Sequence, residues 1–322
     1  MNDDEAKLSG LISFLSATGT VREKVGIQKA YARAQKLAGE IRVGDDCAAI
    51  REGECWLLFA AEGMLPSFIA DDPWFAGYSA VMVNLSDVAA MGGRPLAVVD
   101  VLWSPGIDRS GLIWDGMSAA SSAYGVPIVG GHTTFTKGDA TFLAAAVLGR
   151  AKRLITSFDA VPGDDLLVAV DLRGAWRNEQ PFWNASVNAP PERLRADLEL
   201  LPAIAEMGWC RAGKDISNGG IVGTLAMLLH CSSAGAELRL DQLPRPAAVD
   251  LAQWLISFPS FGYILSVSPE HSDRVIDRFK TQEIACAVVG RLTADRSLLL
   301  SYGVARERFP LWEESAPHAM SR

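Results

Sequence analysis

The sequence contains no run rich in lysine and arginine and no long apolar segment. Its formal net charge is −8 at pH 7, so nucleic acid and the anionic surface of a membrane are unfavourable partners. No apolar run approaches the roughly eighteen residues that a membrane-spanning helix needs. The first five residues (MNDDE) are acidic and lack the basic-then-apolar order of a signal peptide. We therefore predict a soluble, cytoplasmic protein that binds neither nucleic acid nor membranes.

Cysteine and histidine are also scarce. The five cysteines are an odd number and no two have Cys-x-x-Cys spacing, so neither a disulfide framework nor a zinc site is indicated. Four histidines make a histidine-rich metal site improbable. The sequence has no Walker A pattern, no Gly-x-Gly-x-x-Gly pattern and no Gly-x-Ser-x-Gly pattern. The common zinc, dinucleotide-binding and serine-hydrolase classes are therefore not favoured.

Chain length and patterning predict two domains. At 322 residues the chain is long for one hydrophobic core. Apolar strand-like runs alternate with helical patterns, which is typical of an α/β or mixed α+β protein. The turn-rich stretch 150–163 indicates a boundary, so we predict an N-terminal domain over residues 1–153 and a C-terminal domain over residues 154–322. Within the second half we predict a long loop over residues 174–190 and one helix over residues 191–207.

Two short segments of the first half concentrate acidic side chains. Asp45 and Asp46 are adjacent, in a strand edge or tight turn, where their charges repel one another. Asn84 and Asp87 lie on an otherwise apolar predicted helix, on which residues three apart share a face. An amide and three carboxylates that converge suit a hard cation such as Mg²⁺ shared with phosphates. Glu62, directly after a strand-like run, is the next candidate carboxylate.

Each of these residues also has a simpler interpretation. Gly-Asp-Asp is common in solvated turns, Asp87 can be a buried carboxylate satisfied by hydrogen bonds, and Glu62 can be a surface acid at a strand end. The combination favours a cation, because an acid on an apolar helix must be paired, hydrogen-bonded or bound to metal.

A Gly-Gly segment in the first half indicates a phosphate contact. Gly130 and Gly131 come directly after a short predicted strand over residues 126–129 and precede His132 and Thr133. Two glycines let a backbone approach a phosphate closely, and the imidazole and hydroxyl groups offer polar contacts. The alternative is an ordinary Gly-Gly turn with a structural histidine.

A second glycine-containing segment runs from Asp215 to Gly220 and predicts a loop that leads into a helix. Ser217 or Asn218 would cap this helix, and the free N–H groups of its first turn would attract an anion. Capping alone explains the serine and the asparagine. It does not explain Gly219 and the glycine after it, which weaken a helix start unless something approaches closely.

The order of these motifs resembles the AIR (aminoimidazole ribonucleotide) synthase-related superfamily, which includes thiamine-monophosphate kinase and selenophosphate synthetase. The motifs are Gly-Asp-Asp at 44–46, Asn-Leu-Ser-Asp-Val-Ala-Ala-Met-Gly-Gly-Arg-Pro at 84–95, Gly-Gly-His-Thr at 130–133 and Asp-Ile-Ser-Asn-Gly-Gly at 215–220. The resemblance implies two α/β domains and a homodimer whose N-terminal halves share a β-barrel. It also implies ATP and Mg²⁺ in a cleft, and ATP-dependent phosphorylation of an oxygen, sulfur or selenium atom of a small-molecule substrate.

The resemblance also implies roles for individual residues. The metal ligands would be Asp45, Asp46 and Asp87; we predict Glu62 as a fourth ligand from its position after the strand-like run. Asn84 would contact the nucleotide or the metal. The cleft for the phosphates and the substrate would be lined by Gly130, Gly131, His132, Thr133, Asp215, Asn218, Gly219 and Gly220.

The chain departs from the thiamine-monophosphate kinase pattern, which has aspartate at the positions of Glu62, His132 and Asn218. The glycine-rich Cys/Lys loop of selenophosphate synthetases is absent as well. The leading hypothesis is an ATP- and Mg²⁺-dependent phosphotransferase, or an ATP-driven synthase, that acts on a small molecule. The alternative is a catalytically silent nucleotide-binding homodimer that serves as a scaffold or sensor.

Overall fold

Two mixed β-sheets with helices packed against them account for most of the structure. The computed structural model describes residues 2–177 and 181–310, and within these ranges all side chains except those of residues 25 and 28–33. The elements of the first half are α1 (Asp3–Ala17), α2 (Gly19–Gln35), β1 (Ala48–Glu52), β2 (Cys55–Met64), α3 (Pro66–Asp71), α4 (Pro73–Ala90), β3 (Arg94–Ser104), α5 (Ile107–Tyr124), β4 (Ile128–Phe135) and β5 (Phe142–Ala151).

The elements of the second half form the larger sheet, a small third sheet and the helices that pack with them. They are β6 (Asp165–Val170), β7 (Ala175–Trp176), β8 (Phe182–Asn184), α6 (Pro191–Leu198), α7 (Leu200–Glu206), β9 (Ala212–Asp215), α8 (Gly220–Ser232), β10 (Gly235–Arg239), α9 (Leu251–Leu255), β11 (Phe258–Pro259), β12 (Gly262–Val267), α10 (Pro269–Lys280), β13 (Ala285–Thr293), β14 (Leu298–Tyr302) and β15 (Ala305–Phe309), with a 3₁₀ turn at Leu240–Gln242.

The first sheet has the strand order β1-β2-β5-β3-β4. Helices α4 and α5 pack on one of its faces. α4 begins where the Asp72 carboxylate accepts the N–H of Phe75 at 3.0 Å, and nearly all of its side chains are buried, as expected of a helix that is apolar all round. In the described part of the chain the sheet ends at the edge strands β1 and β4 and does not close on itself, and the β-barrel shared by two chains stays a prediction.

The second sheet has the order β15-β14-β10-β13-β6-β12-β9 and is covered on both faces. The interior strand β6 shows this: Leu166, Val168 and Val170 face one core with α8, whereas Leu167 and Ala169 face another core with α7 and α10. A strand buried on both faces requires a continuous apolar run. The predicted mixed α/β class is therefore confirmed.

The first two helices pack with the second half of the chain. Leu8, Leu11 and Leu15 on α1 belong to the same core as strands β14 and β15, and α2 lies against α8. The division at residue 153 stays a prediction, but residues 3–35 contact the domain that lies beyond it. Among the residues described, no helix has both the length and the apolar character needed to cross a membrane.

Three local predictions need correction. The helix predicted over residues 191–207 is two helices, α6 and α7, that meet at Glu199. The loop predicted over residues 174–190 contains β7 and β8, which pair with each other; β8 also pairs with β11, and the three strands form a small third sheet. The Gly130–Gly131 segment does not follow a strand but lies within one, β4, because its backbone pairs with β3 through residue 135.

Candidate active site

Three carboxylates from distant parts of the sequence meet where the two halves of the chain touch. Asp46 lies just before β1, Asp87 lies on α4, and Asp215 is the last residue of β9. One carboxylate oxygen of each lies within 4.8 Å of the other two. Since α4 packs against β9, the apolar surfaces of these elements fix the spacing of the acids. We refer to Asp46, Asp87 and Asp215 as the acid cluster.

Asp46 is paired with a lysine that the sequence analysis did not single out. The buried Lys214 donates from Nζ to Asp46 Oδ1, and the backbone N–H of Asp215 donates to Asp46 Oδ2 at 3.3 Å. Burial alone would lower the pKa of Lys214, but Asp46 and Asp45 outweigh it and raise the pKa. Lys214 is therefore a fixed positive charge beside the acid cluster.

The negative charges of Asp87 and Asp215 have fewer compensating partners than that of Asp46. Asp87 Oδ2 is buried and has no hydrogen-bond partner within the described part of the chain. Burial and the charge of Asp215 raise the pKa of Asp87 well above its ordinary value, and burial and Asp46 raise the pKa of Asp215 to about 8. Such carboxylates stay ionised only near added positive charge. The all-oxygen donor set and the unpartnered oxygen fit a hard divalent cation such as Mg²⁺.

Asp45, predicted as a metal ligand, lies outside the acid cluster. Its two carboxylate oxygens accept the Ser157 hydroxyl at 2.7 Å and the Ser157 N–H at 2.9 Å. Burial and the neighbouring Asp46 raise the pKa of Asp45 to about 6. Ser157 belongs to the segment between β5 and β6, so Asp45 ties the acidic turn to the connection between the two halves. Its role as a ligand stays a prediction.

Glu62 and Asn84 flank the cluster differently. Glu62, on β2, is exposed to solvent; partial burial and Asp46 raise its pKa, while Lys24 opposes the rise. Asn84 is buried and donates to the carbonyl oxygens of Ala80 at 2.8 Å and Ala145 at 3.2 Å, which fastens α4 to β5. Residues three apart on a helix are offset by about 60° around its axis. This offset is enough to direct Asn84 to the sheet while Asp87 faces β9.

The segment from Gly130 to Thr133 lies on the exposed edge strand β4. Three strand spacings, about 14 Å, separate β4 from the Glu62 strand. His132 Nε2 contacts Thr134 Oγ1 at 2.9 Å. A Cβ at Gly131 would lie 2.1 Å from Oδ1 of Asp100, a buried acid that the sequence analysis missed. The chain's own packing therefore explains Gly131, and the predicted nucleotide contacts of this segment stay predictions.

The segment from Asp215 to Gly220 differs from its predicted form at the helix start. Neither Ser217 nor Asn218 caps α8; the N-cap is Gly219, with no side-chain cap bond. Gly219 and Gly220 have φ values of 96° and 65°, and a Cβ at Gly220 would lie 2.2 Å from the Leu255 carbonyl oxygen. Left-handed backbone and close approach by the chain itself account for both glycines. They do not by themselves indicate a ligand.

Ser217 has a different partner, the side chain of Lys24. Lys24 projects from α2, and its Nζ donates to Ser217 Oγ at 2.8 Å. Burial and Lys214 lower the pKa of Lys24. The sequence signal for Lys214 was its position directly before Asp215 in an apolar strand, since a buried lysine needs an acidic partner. We find no local signal that would have identified Lys24 or Ser157.

Fold and site together define a two-domain α/β protein with an acidic, cation-compatible site between its halves. The family model for the N-terminal domain of AIR synthase related proteins matches residues 44–151, and that for the C-terminal domain matches residues 173–302. A Synechocystis protein described as uncharacterised is 47% identical over 308 residues, which cover 94% of this chain and 95% of that protein. The chain belongs to the AIR synthase-related family, and the resemblance inferred from motif order is confirmed.

Solved structures share the fold at low sequence identity. T. maritima PurL complexed with ATP superposes with a TM-score of 0.72 at 20% identity, covering 82% of this chain and 46% of that chain. The structure of AaThiL complexed with AMPPCP and TMP superposes with a TM-score of 0.65 at 19% identity, covering 83% of this chain and 90% of that chain. At these identities the likeness shows the fold alone.

Proposed function

We propose that this protein is an ATP- and Mg²⁺-dependent phosphotransferase, or an ATP-driven synthase, that acts on a small molecule. The observation that carries the proposal is the acid cluster, with a buried and unpartnered carboxylate oxygen on Asp87. The family membership and the nucleotide complexes of PurL and AaThiL support it. Phosphoryl transfer needs mainly positioning and charge neutralisation, and a group of fixed carboxylates beside two lysines is suited to both tasks.

The roles of the protein groups follow from their contacts. Asp87 and Asp215 would hold Mg²⁺, which when bound would neutralise charge on the phosphates. Asp46 would share its charge between the metal and Lys214. Asp45 holds the acidic turn in place through Ser157. Glu62 borders the cluster, and its side chain, which is one methylene longer than that of aspartate, would still reach a cation.

Asp87→Asn tests the proposed metal site. The amide keeps the size of the side chain and removes its charge, so we expect Mg²⁺-dependent binding of a non-hydrolysable ATP analogue to be lost in isothermal titration calorimetry. Asp139→Asn, in an exposed loop, is the matched control and should bind as the parent does. Equal affinity in the Asp87 variant and the parent would show that the site lies elsewhere.

Turnover separates the enzyme from the silent scaffold. With Glu62→Gln, we expect ADP release to fall much more than nucleotide affinity, because a charge near the transferring phosphate matters most where charge develops in the transition state. An ADP-release assay with a panel of phosphate acceptors measures this. If the parent binds nucleotide and releases no ADP with any acceptor, the scaffold or sensor becomes the better description.

We also propose that the protein is a homodimer through the uncovered face of the first sheet. The strand register places one row of large apolar side chains on this face, opposite α4 and α5. These side chains are Ile50, Phe59, Val99, Trp103, Phe142 and Leu148, all more than a third exposed. A contiguous apolar face of this kind is typical of an interface.

Light scattering tests the dimer. The parent should have twice the chain mass of 34.5 kDa, and Phe59→Lys should shift it towards the monomer because a charge is placed in the apolar face. Leu112→Lys, on the exposed side of α5, is the control and should leave the mass unchanged. A monomeric parent at high concentration would overturn this proposal.

A further inference from the structure

A helix outside both regions matched by the family models brings a lysine to the acid cluster. The matched regions are residues 44–151 and 173–302, whereas α2 spans Gly19–Gln35. From α2, Lys24 Nζ reaches Ser217 Oγ at 2.8 Å. Ser217 is only two positions beyond Asp215, so the ammonium group lies beside the proposed metal site.

The two lysines at the site differ in how their charges are used. Lys214 is buried and its Nζ bonds to the Asp46 carboxylate. Lys24 is half-buried, and the hydroxyl that accepts its N–H carries no charge. The carboxylates of Asp215, Asp46 and Glu62 attract the Lys24 ammonium, and Lys214 repels it. An ammonium group has three N–H donors, so Lys24 retains donors and charge for an anion that enters the cleft.

α2 also limits the access of a phosphate to the N-terminus of α8. The Thr20 carbonyl oxygen and Lys24 Cγ would lie 3.0 Å and 3.2 Å from a Cβ at Gly219, and Lys24 Cγ would lie 3.3 Å from a Cβ at Gly223. The first turn of α8 is therefore packed against α2, which leaves little room for a phosphate. The positive charge available at this end of the cleft is the ammonium group that α2 supplies.

We propose that Lys24 contacts the terminal phosphate of the metal-bound nucleotide. This inference rests on the proposed function, since it needs Mg²⁺ and ATP at the acid cluster. A phosphate held by a metal on Asp215 would lie next to Ser217, and a lysine is a suitable point-charge partner for it. Helix α2 is then part of the binding site.

The test compares three ligands by isothermal titration calorimetry: Mg²⁺ alone, Mg·ADP and Mg²⁺ with a non-hydrolysable ATP analogue. Lys24→Met keeps the length of the side chain and removes the charge. We expect it to weaken the ATP analogue by roughly tenfold or more, the usual size for a lost charge-assisted hydrogen bond, and to affect Mg·ADP much less. Mg²⁺ alone should bind at least as tightly, because a repelling charge is gone.

Several controls keep the outcome decisive. Arg22→Met, on the exposed side of α2, should bind all three ligands as the parent does, and Lys24→Arg should retain most of the analogue affinity. If methionine disturbs the packing of α2, Lys24→Gln carries the same test, because its amide can still donate to Ser217. Equal weakening of all three ligands would indicate a structural role and overturn the inference.

The two proposals fail in different ways. If the parent binds the ATP analogue and Lys24→Met binds it equally well, the inference about Lys24 is wrong and the proposed function stands. If the parent binds neither nucleotide, the proposed function is wrong and the inference falls with it.

Discussion

Asp215→Asn should make the metal-free protein more stable, although it removes a charge from the candidate active site. Asp215 is buried, and burial together with the neighbouring charge of Asp46 raises its pKa from the ordinary 3.8 to about 8. In the unfolded chain the carboxyl group returns to its ordinary pKa. Because the folded pKa is the higher one, this group destabilises the fold wherever the unfolded chain would ionise it.

The magnitude follows from the two pKa values. At pH 7 the carboxyl is ionised in the unfolded chain and largely protonated in the folded protein. The penalty is about 1.4 kcal/mol for each unit by which the ordinary pKa of 3.8 lies below the working pH. At pH 7 it is therefore roughly 4 kcal/mol. The amide of asparagine is neutral and avoids this penalty. The pKa of about 8 already includes the attraction of Lys214, so we expect a measured gain of up to roughly 4 kcal/mol.

Urea denaturation in the presence of a chelator measures this gain and its pH dependence. The penalty is absent below about pH 4, grows as the pH rises, and is complete above about pH 8. The stability difference between variant and parent should therefore be larger at pH 7 than at pH 5, and Asp139→Asn should show neither effect. Saturating Mg²⁺ should reverse the order, because only the parent retains the full ligand set. A variant less stable than the parent without metal, or a difference that does not grow with pH, would refute the reasoning.

Replacing Lys214 with methionine leaves the Asp46 carboxylate buried without its partner, so the metal-free variant should lose roughly 3–5 kcal/mol and regain part of it with Mg²⁺; unchanged melting in calorimetry would contradict the pairing. Ser157→Ala removes the hydroxyl donor to Asp45 but keeps the N–H donor, so chemical denaturation should show a loss of about 1–2 kcal/mol, and no loss would mean that this bond is unimportant. Gly220→Ala places a Cβ 2.2 Å from a backbone oxygen at a φ of 65°, and a loss of at least about 2 kcal/mol is expected; a neutral result would show that α8 can begin elsewhere.

Local sequence patterns were sufficient for much of the architecture. The continuous apolar run at residues 166–170 is typical of a buried strand, and it forms most of β6, which is buried on both faces. The apolar helix with a single acid near its end is α4, and its Asp87 lies in the acid cluster. These predictions depend on neighbours within a few residues, where the periodicity of a helix or a strand is visible in the sequence.

The partners of the site residues could not be predicted in the same way. Asp46 pairs with Lys214, 168 positions away, and Asp45 pairs with Ser157, 112 positions away. No periodicity connects such residues, because tertiary packing alone brings them together. The same limit explains why the close packing at Gly220 was attributed to a ligand. The group that lies close to Gly220 is the backbone at the end of α9.

The arrangement of charge gives a physical reason for the metal and the nucleotide to bind together. Five carboxylates interact at the site, and two ammonium groups oppose them: Asp45, Asp46, Glu62, Asp87 and Asp215 against Lys24 and Lys214. Fully ionised, this set has a net charge of −3 by that count, which repels a polyphosphate. A divalent cation reduces the excess to a single negative charge and gives the phosphate oxygens a direct partner. Because Lys214 is paired with Asp46, Lys24 is the one of these two lysines that can neutralise the phosphate. It lies on α2, a helix that packs with the second half of the chain.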